Sequence, residues 1–151
     1  MLNLDHVSVD YDGVPAVVDA SLSLDDGQVL AVLGPSGSGK STLLRAIAGL
    51  EPVAAGRVAW DGVDLGAVPT HKRGFALMFQ DGQLFGHLTV ARNVGYALRL
   101  RRTPNLAARV RELLALVGLE GYDDRLPATL SGGERQRVAL ARALVLRPKV
   151  L

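Results

Sequence analysis

The sequence predicts an α/β protein with an antiparallel β section at the front of its core and a helical insert at about residues 86–130. Three observations predict this fold. A glycine-rich loop joins an apolar run to a helical pattern, residues 2–9 alternate apolar and polar side chains, and residues 89–117 hold two helical patterns. Because 48% of the 151 residues are hydrophobic, the chain can bury a core of about one domain.

Alternation and turn residues indicate where the strands lie. Asp12-Gly13 and Asp61-Gly62 are turn signals, and an irregularity is expected near His6. We predict strands at residues 2–9, 17–24, 28–33, 57–60 and 75–79, with another strand beginning at Lys149.

Capping residues and glycines indicate the helices. We predict helices from the glycine-rich loop to Gly49, from Thr89 to about Arg102, from Pro104 to Val117, and from Ser131 to just before Pro148. Residues 122–130 are expected to be less regular. The predicted division is therefore residues 1–85 for the β section and loop-bearing core, 86–130 for the helical subdomain, and 131–151 for the last helix and the start of a core strand.

Composition limits the classes of partner. The net charge of +2 does not call for nucleic acid, and we read the basic cluster Arg99, Arg101 and Arg102 as a solvated helix end. The chain has no cysteine, which removes disulfide and thiol chemistry and fits a cytosolic protein. No signal peptide is predicted, and no apolar run approaches the roughly 20 residues that cross a bilayer. Any membrane role is therefore expected to come through partners.

The glycine-rich loop matches the pattern G-x-x-x-x-G-K-[ST], which holds the phosphates of a nucleotide. Glycines allow successive N–H groups to converge on one anion, and the following helix directs its positive dipole end at the same point. A lysine in a chain of three lysines and fourteen arginines suggests that a compact point charge is needed. We expect Lys40 to reach the outer phosphates and Ser41 to bind Mg²⁺. The loop consists of Gly34, Pro35, Ser36, Gly37, Ser38, Gly39, Lys40, Ser41 and Thr42.

A second motif stands at the start of the last predicted helix, at Ser131, Gly132, Gly133 and Glu134. A serine followed by glycines at a helix start suits anion capture. Alone, such a motif is more often only a cap and a turn. Its pairing with the phosphate loop, and with Gln80 between the two, is far more specific.

Together these motifs resemble the ATP-binding subunits of ATP-binding cassette (ABC) transporters, with a P-loop NTPase core. Residues 34–42 resemble the Walker A motif of that family, and residues 130–134 its signature motif. Gln80 resembles the Q-loop glutamine, and Tyr11 the aromatic residue that stacks on adenine. Glu134 stands where the family often has glutamine. The segment after Gln80 is similar to importers of polyamines, iron, sulfate and thiamine, although Gly86 stands where those usually have proline.

The resemblance implies a mechanism and a set of partners. Two such subunits, expected to be identical, would form a head-to-tail dimer with ATP at each interface. Lys40 and Ser41 of one subunit would hold the phosphates and Mg²⁺, while Ser131 and Gly133 of the other would close on the γ-phosphate. Gln80 would reach Mg²⁺ and the attacking water. The implied partners are transmembrane permease subunits, with a solute-binding protein as a further partner of an importer, which would place the chain at the cytoplasmic side of the membrane.

The family's Walker B aspartate, catalytic glutamate and switch histidine are not among these 151 residues. We therefore expect deficient hydrolysis from the chain as given, and hypothesise that it is the N-terminal part of a longer ATPase. Alternatives remain: an ABC-type ATPase outside transport, as in ribosome-linked work, or a degenerate nucleotide-binding module. The short stretch between Gln80 and Ser131 disfavours chromosome-type members, and the second motif disfavours a small kinase.

Overall fold

The structure, a computed structural model, describes residues 1–151, which divide into two compact units at residues 1–75 and 76–151. The first unit contains β1 (Leu2–Tyr11), β2 (Val14–Leu24), α1 (Lys40–Ala48), β3 (Ala55–Trp60), β4 (Val63–Asp64) and α2 (Thr70–Arg73). The second contains α3 (Val90–Val94), α4 (Tyr96–Leu100), α5 (Leu106–Leu116), a 3₁₀ turn (Pro127–Thr129) and α6 (Gly132–Leu144). None of these helices combines the length and apolarity that a membrane span requires.

The four strands form one antiparallel sheet in the order β2-β1-β3-β4. Two-residue turns close the hairpins at Asp12-Gly13 and Asp61-Gly62, and all four residues have positive φ, as a type I′ turn requires. Both predicted turns and the predicted antiparallel section are therefore confirmed.

The expected irregularity near His6 is a pair of compensating β-bulges. β1 has one extra residue at the bulge that contains His6, and β2 has one extra residue at the bulge that contains Asp19. Both His6 and Asp19 have positive φ. The His6 N–H donates to Ser21 Oγ and the Asp19 N–H donates to Ser8 Oγ, each at 3.0 Å. The side chains of His6 and Asp19 also meet in a hydrogen bond. Serine hydroxyls of the opposite strand thus satisfy the backbone donors of both bulge residues.

The first core forms between the sheet and α1. It contains Leu2, Leu4, Val7, Val9, Leu43, Ala46, Ile47, Val58 and Leu65. α1 ends where predicted, at Gly49 with φ 79°. The buried Arg73 guanidinium then donates to the carbonyls of Ala46 and Ile47 in its last turn, as well as to those of two loop residues. This arginine fixes the helix end, and burial lowers its pKa.

The second unit is helical, but the single helix predicted from Thr89 to about Arg102 is instead two short helices. The Thr89 side chain accepts from the Arg92 N–H and caps α3, and a break at Gly95 separates α3 from α4. The buried Asn93 amide binds the backbone of the preceding segment through Phe85, Leu88 and Thr89. Its core contains Val90, Val94, Leu98, Val110, Leu113, Leu114, Leu119, Leu130, Val138, Ala141 and Val145.

The strands predicted at residues 28–33, 75–79 and 149–151 are wrong in this structure. The side chains of Val29 and Leu33 are 95% and 89% exposed. Near the chain end, the Ala76 N–H donates to the Val150 carbonyl at 2.9 Å, which is a single bridge and no ladder. A strand is defined by hydrogen bonds to a neighbour, so an apolar run without a paired neighbour does not become one. The predicted α/β class is otherwise confirmed by the sheet and the helices.

Candidate functional site

The phosphate loop reaches α1 through three glycines with backbone conformations that disfavour side chains. Gly34, Gly37 and Gly39 have φ of 155°, 81° and 83°. A Cβ on Gly39 would lie 2.2 Å from the carbonyl oxygen of Ala16, so this position admits only glycine. No side chain caps α1 at Gly39. The N–H groups of its first turn are therefore available to an external anion.

The Lys40 ammonium group folds back over the loop. It donates to the carbonyl oxygens of Gly34 at 2.9 Å and Pro35 at 2.6 Å, and to Ser38 Oγ at 3.1 Å. These three neutral acceptors match the three N–H donors of an ammonium group. The cation is thus held at the loop by partners that leave its positive charge uncompensated.

A cavity of about 170 Å³ lies at this point. It is lined by Ala16, Gly37, Ser38, Gly39, Lys40, Ser41 and Thr42. Six of the nine predicted loop residues therefore come together. Gly34 and Pro35 contribute through their carbonyls to Lys40, and Ser36 lies outside the lining. A larger cavity of about 520 Å³ lies beside Arg73, but no predicted site residue lines it.

Of two residues of the β section near the turn at Asp12-Gly13, one lines this cavity and the other does not. Tyr11 ends β1 with 43% of its surface exposed and is not part of the lining, so adenine stacking by Tyr11 stays a prediction. Ala16 lines the cavity and was missed by the sequence analysis. The register passes from Val9–Val17 to Asp10–Pro15, which leaves Ala16 as an extra residue in β2. Pro15 was the available signal, because proline in a strand often marks a bulge.

The second motif begins α6 with a complete capping box. Ser131 Oγ accepts from the Glu134 N–H at 3.2 Å, and the Glu134 carboxylate accepts from the Ser131 N–H at 2.6 Å. The Tyr122 hydroxyl donates to the other carboxylate oxygen at 2.8 Å. These hydrogen bonds, the Ser131 N–H first, lower the pKa of Glu134 to about 2.

The glycines of this motif are not explained by the fold of the chain. Gly132 and Gly133 have no positive φ, and a Cβ at either would meet nothing closer than 3.9 Å. Glycine also weakens a helix by about 0.5–1 kcal/mol relative to alanine. Both residues are exposed, as is Ser131. The helix start is thus open to something from outside.

The Gln80 segment is attached to α6 within the second unit. Gln136 Nε2 donates to the Gln80 carbonyl at 3.4 Å, and the Arg142 guanidinium donates to the carbonyls of Gly82 and Gln83 at 2.9 and 3.0 Å. The Gln80 side chain itself is exposed. The structure therefore brings together the predicted glutamine segment and the helix that begins after Ser131.

Comparison with known proteins agrees with these two motifs. The model of the ABC transporter family matches residues 17–151. The chain is 53% identical to the Fe(3+) ions import ATP-binding protein FbpC of Streptomyces coelicolor, over 100% of the chain and 44% of that protein. It is 47% identical to the putrescine transport ATP-binding protein PotG of Escherichia coli, over 100% of the chain and 41% of that protein.

A solved structure of the ATP-binding cassette MJ0796, a post-hydrolysis dimer bound to ADP and Pi, is also similar. It matches with a TM-score of 0.86 and 30% identity, over 98% of this chain and 71% of that one. The chain spans less than half the length of the two curated relatives. Because the family model covers both glycine motifs and most of the chain, this protein belongs to the ABC transporter family.

Proposed function

We propose that this chain forms the ATP-binding part of an importer's motor subunit, which binds MgATP at its phosphate loop and then pairs head-to-tail with a second copy. One observation carries the proposal. The chain contains two helix starts with free N–H donors, at Gly39 and at Gly132-Gly133, and the second is opened by glycines that the chain's own packing does not require.

At the phosphate loop, Lys40 would exchange its neutral acceptors for phosphate oxygens. The exchange is favourable because hydrogen bonds between two ionised groups are stronger than those to carbonyls. Ser41 lies in the cavity lining, and its hydroxyl is the hard oxygen donor that Mg²⁺ prefers. The site would therefore suit a magnesium–triphosphate, in which the metal would neutralise part of the phosphate charge. No cluster of three His, Cys, Asp or Glu side chains offers another metal site.

At the signature motif, an anion would meet the Ser131 hydroxyl and the N–H groups of Gly132 and Gly133. These donors lie at the positive dipole end of α6, which has 13 residues. Two copies in head-to-tail symmetry would place each signature motif over the partner's phosphate loop, so that both sites close together. ATP would stabilise the closed pair because only that state contacts it from both sides.

Gln80 would couple the state of the phosphate site to the rest of the subunit. Its segment is held by Gln136 and Arg142 of α6, so a change at Gln80 would be felt by the helix that carries Ser131. We propose that Gln80 reaches Mg²⁺ and the attacking water, and that residues 86–130 pass the movement to transmembrane permease subunits. The chain would then work at the cytoplasmic face of the membrane, with a solute-binding protein as a further partner.

The names of the relatives do not identify the substrate that this chain would help to import. FbpC is named for iron, PotG for putrescine and the CysA proteins for sulfate. All three names state ATP binding, the FbpC and CysA names state import, the PotG name states transport, and the cargoes differ. We therefore propose import as the direction of transport and assign no cargo to this chain.

The test is an ATP titration followed by a measurement of pairing. ATP with Mg²⁺ should bind the chain and shift its sedimentation from monomer to dimer. Lys40→Ala should weaken binding by at least roughly tenfold, the effect of losing a charge-assisted contact, whereas the exposed Lys72→Ala is the matched control. Ser131→Ala should leave binding intact and abolish pairing, with Ser23→Ala as its control. Pairing that survives Ser131→Ala would contradict the proposal.

A further inference from the structure

Glu134 places a negative charge at the helix start where the proposed function needs an anion to bind. The residue occupies the third position of α6, from which a glutamate side chain reaches back to the first N–H groups. A free carboxylate there would compete for the donors of Ser131, Gly132 and Gly133 and would repel a phosphate. The chain therefore needs a way to keep this carboxylate off those donors.

The structure shows one position for the carboxylate, fixed through both oxygens. Oε2 accepts from the Ser131 N–H at 2.6 Å, and Oε1 accepts from the Tyr122 hydroxyl at 2.8 Å. With both oxygens engaged in this way, the N–H groups of Gly132 and Gly133 remain available. Glu134 stays ionised at neutral pH, since its pKa is about 2, so its charge is always present and its location matters.

Tyr122 is itself held firmly enough to direct the carboxylate. The Arg125 guanidinium lies 3.8 Å from the centre of its ring. The ring also contacts the apolar core of the second unit. The neighbouring backbone is tied to α3, because the N–H groups of Val90 and Ala91 donate to the carbonyls of Arg125 and Asp123. The hydroxyl is thus presented to Glu134 from a fixed segment on the side of the helical insert.

We propose that Tyr122 is a positioning residue that holds the Glu134 carboxylate at the Ser131 N–H and so keeps the remaining donors of the signature motif free for the partner's triphosphate. The inference rests on the proposed function, since it concerns the same pairing with ATP. Removing the hydroxyl frees one carboxylate oxygen to rotate towards Gly132 and Gly133. Replacing the carboxylate by an amide removes the charge and with it the need for Tyr122.

Four forms of the chain test this inference: unchanged, Tyr122→Phe, Glu134→Gln and the double variant. The measured quantity is the ATP concentration at half-maximal dimer formation with Mg²⁺, followed by sedimentation. Tyr122→Phe keeps the ring and its contact with Arg125, and should raise that concentration roughly three- to tenfold, the range for one hydrogen bond to an exposed charged group. In the Glu134→Gln background the same change should have an effect below about twofold.

Two further measurements separate positioning from a merely structural role. ATP binding to the monomer at the Lys40 loop should be the same in all four forms. Carboxyl-carbon NMR should show the pKa of Glu134 rising when Tyr122 loses its hydroxyl. Tyr96→Phe is the matched control, because Tyr96 is 40% exposed in the same unit and contacts Phe85 through its ring. That variant should pair like the unchanged chain.

The outcomes distinguish the two proposals. Pairing that is indifferent to Tyr122→Phe, or lost equally in both backgrounds, overturns the positioning role and leaves the proposed function standing. No ATP-induced pairing of the unchanged chain overturns the proposed function, and the inference with it. A loss in Tyr122→Phe that Glu134→Gln relieves supports the inference.

Discussion

The two helix starts that face phosphate in the proposed mechanism are built in opposite ways. α1 begins at Gly39 without a side-chain cap and carries a lysine in its first turn. α6 begins at Ser131 with a full capping box and carries a glutamate there. The first is thus an uncapped helix start beside a cation. The second is a capped start beside an anion, and its capping box leaves the N–H groups of Gly132 and Gly133 free. This difference suggests that the first site can bind the triphosphate without a partner. The second site would add its few donors only when a partner subunit brings a bound triphosphate to it.

The glycines of the two motifs also differ in whether the fold of the chain requires them. Those of the phosphate loop are required by the chain itself, through positive φ at Gly37 and Gly39 and a close contact with Ala16. Gly132 and Gly133 meet no such requirement within the chain. Substitution at the first site should therefore damage fold and binding together, and substitution at the second should separate them.

The largest expected effect is at Gly39. In Gly39→Ala, a methyl group would lie 2.2 Å from the Ala16 carbonyl at a φ of 83°. The free energy of unfolding of the first unit should fall by about 1–3 kcal/mol or more, the cost of strained backbone at such a position, and ATP binding should be lost. Urea unfolding and an ATP titration measure the two effects. Gly13→Ala is the control for φ alone, since no atom lies within 4 Å of that position.

A change at Gly133 should act in the opposite direction on stability. In Gly133→Ala, the added methyl meets nothing closer than 3.9 Å, and the helix should gain about 0.5 kcal/mol in its free energy of unfolding. ATP binding by the monomer should be unchanged. ATP-induced pairing should fall sharply, because the methyl occupies the space where the partner's phosphate would approach. A variant that is both more stable and fully able to pair would break the contrast between the two helix starts.

The smallest expected effect is a dependence of stability on pH that arises from Glu134 at the start of α6. The pKa of Glu134 is lowered from 4.5 to about 2, so its stabilising contribution is complete above about pH 4.5 and is lost as the pH falls towards 2. The stability difference between the unchanged chain and Glu134→Gln should therefore shrink over this range. Urea unfolding at several pH values measures it, with the exposed Glu120→Gln as control. A difference that is constant with pH would contradict the capping arrangement.

Sequence reasoning succeeded where the information is local. The phosphate loop, the turn at Asp12-Gly13 and the caps at Thr89 and Ser131 each depend on a few consecutive residues, and each adopts the predicted conformation. It failed for the apolar runs at 28–33 and 75–79, because strand formation depends on a neighbour that no local pattern specifies.

The candidate site likewise divides into residues that local sequence predicts and residues that it does not. The six loop residues that line the cavity could be predicted, whereas Ala16 enters it through a shift in strand register. The bond from Tyr122 to Glu134 joins residues 12 positions apart through an irregular segment. Neither a motif nor a periodicity could have indicated that contact. The roles of Gln80 and Tyr11 stay predictions.

The paired bulges at His6 and Asp19 have a consequence for how β1 and β2 tolerate insertions and deletions. Leu2, Leu4, Val7 and Val9 are all buried, although even and odd positions of a regular strand point to opposite faces. The extra residue at His6 is what returns the later half of β1 to the core, and the one at Asp19 compensates in the neighbouring strand. Losing one of these residues would shift the register of the β1–β2 pair. Losing both together would restore that register and the turn at Asp12-Gly13, but Val7 and Val9 would still be turned away from the core.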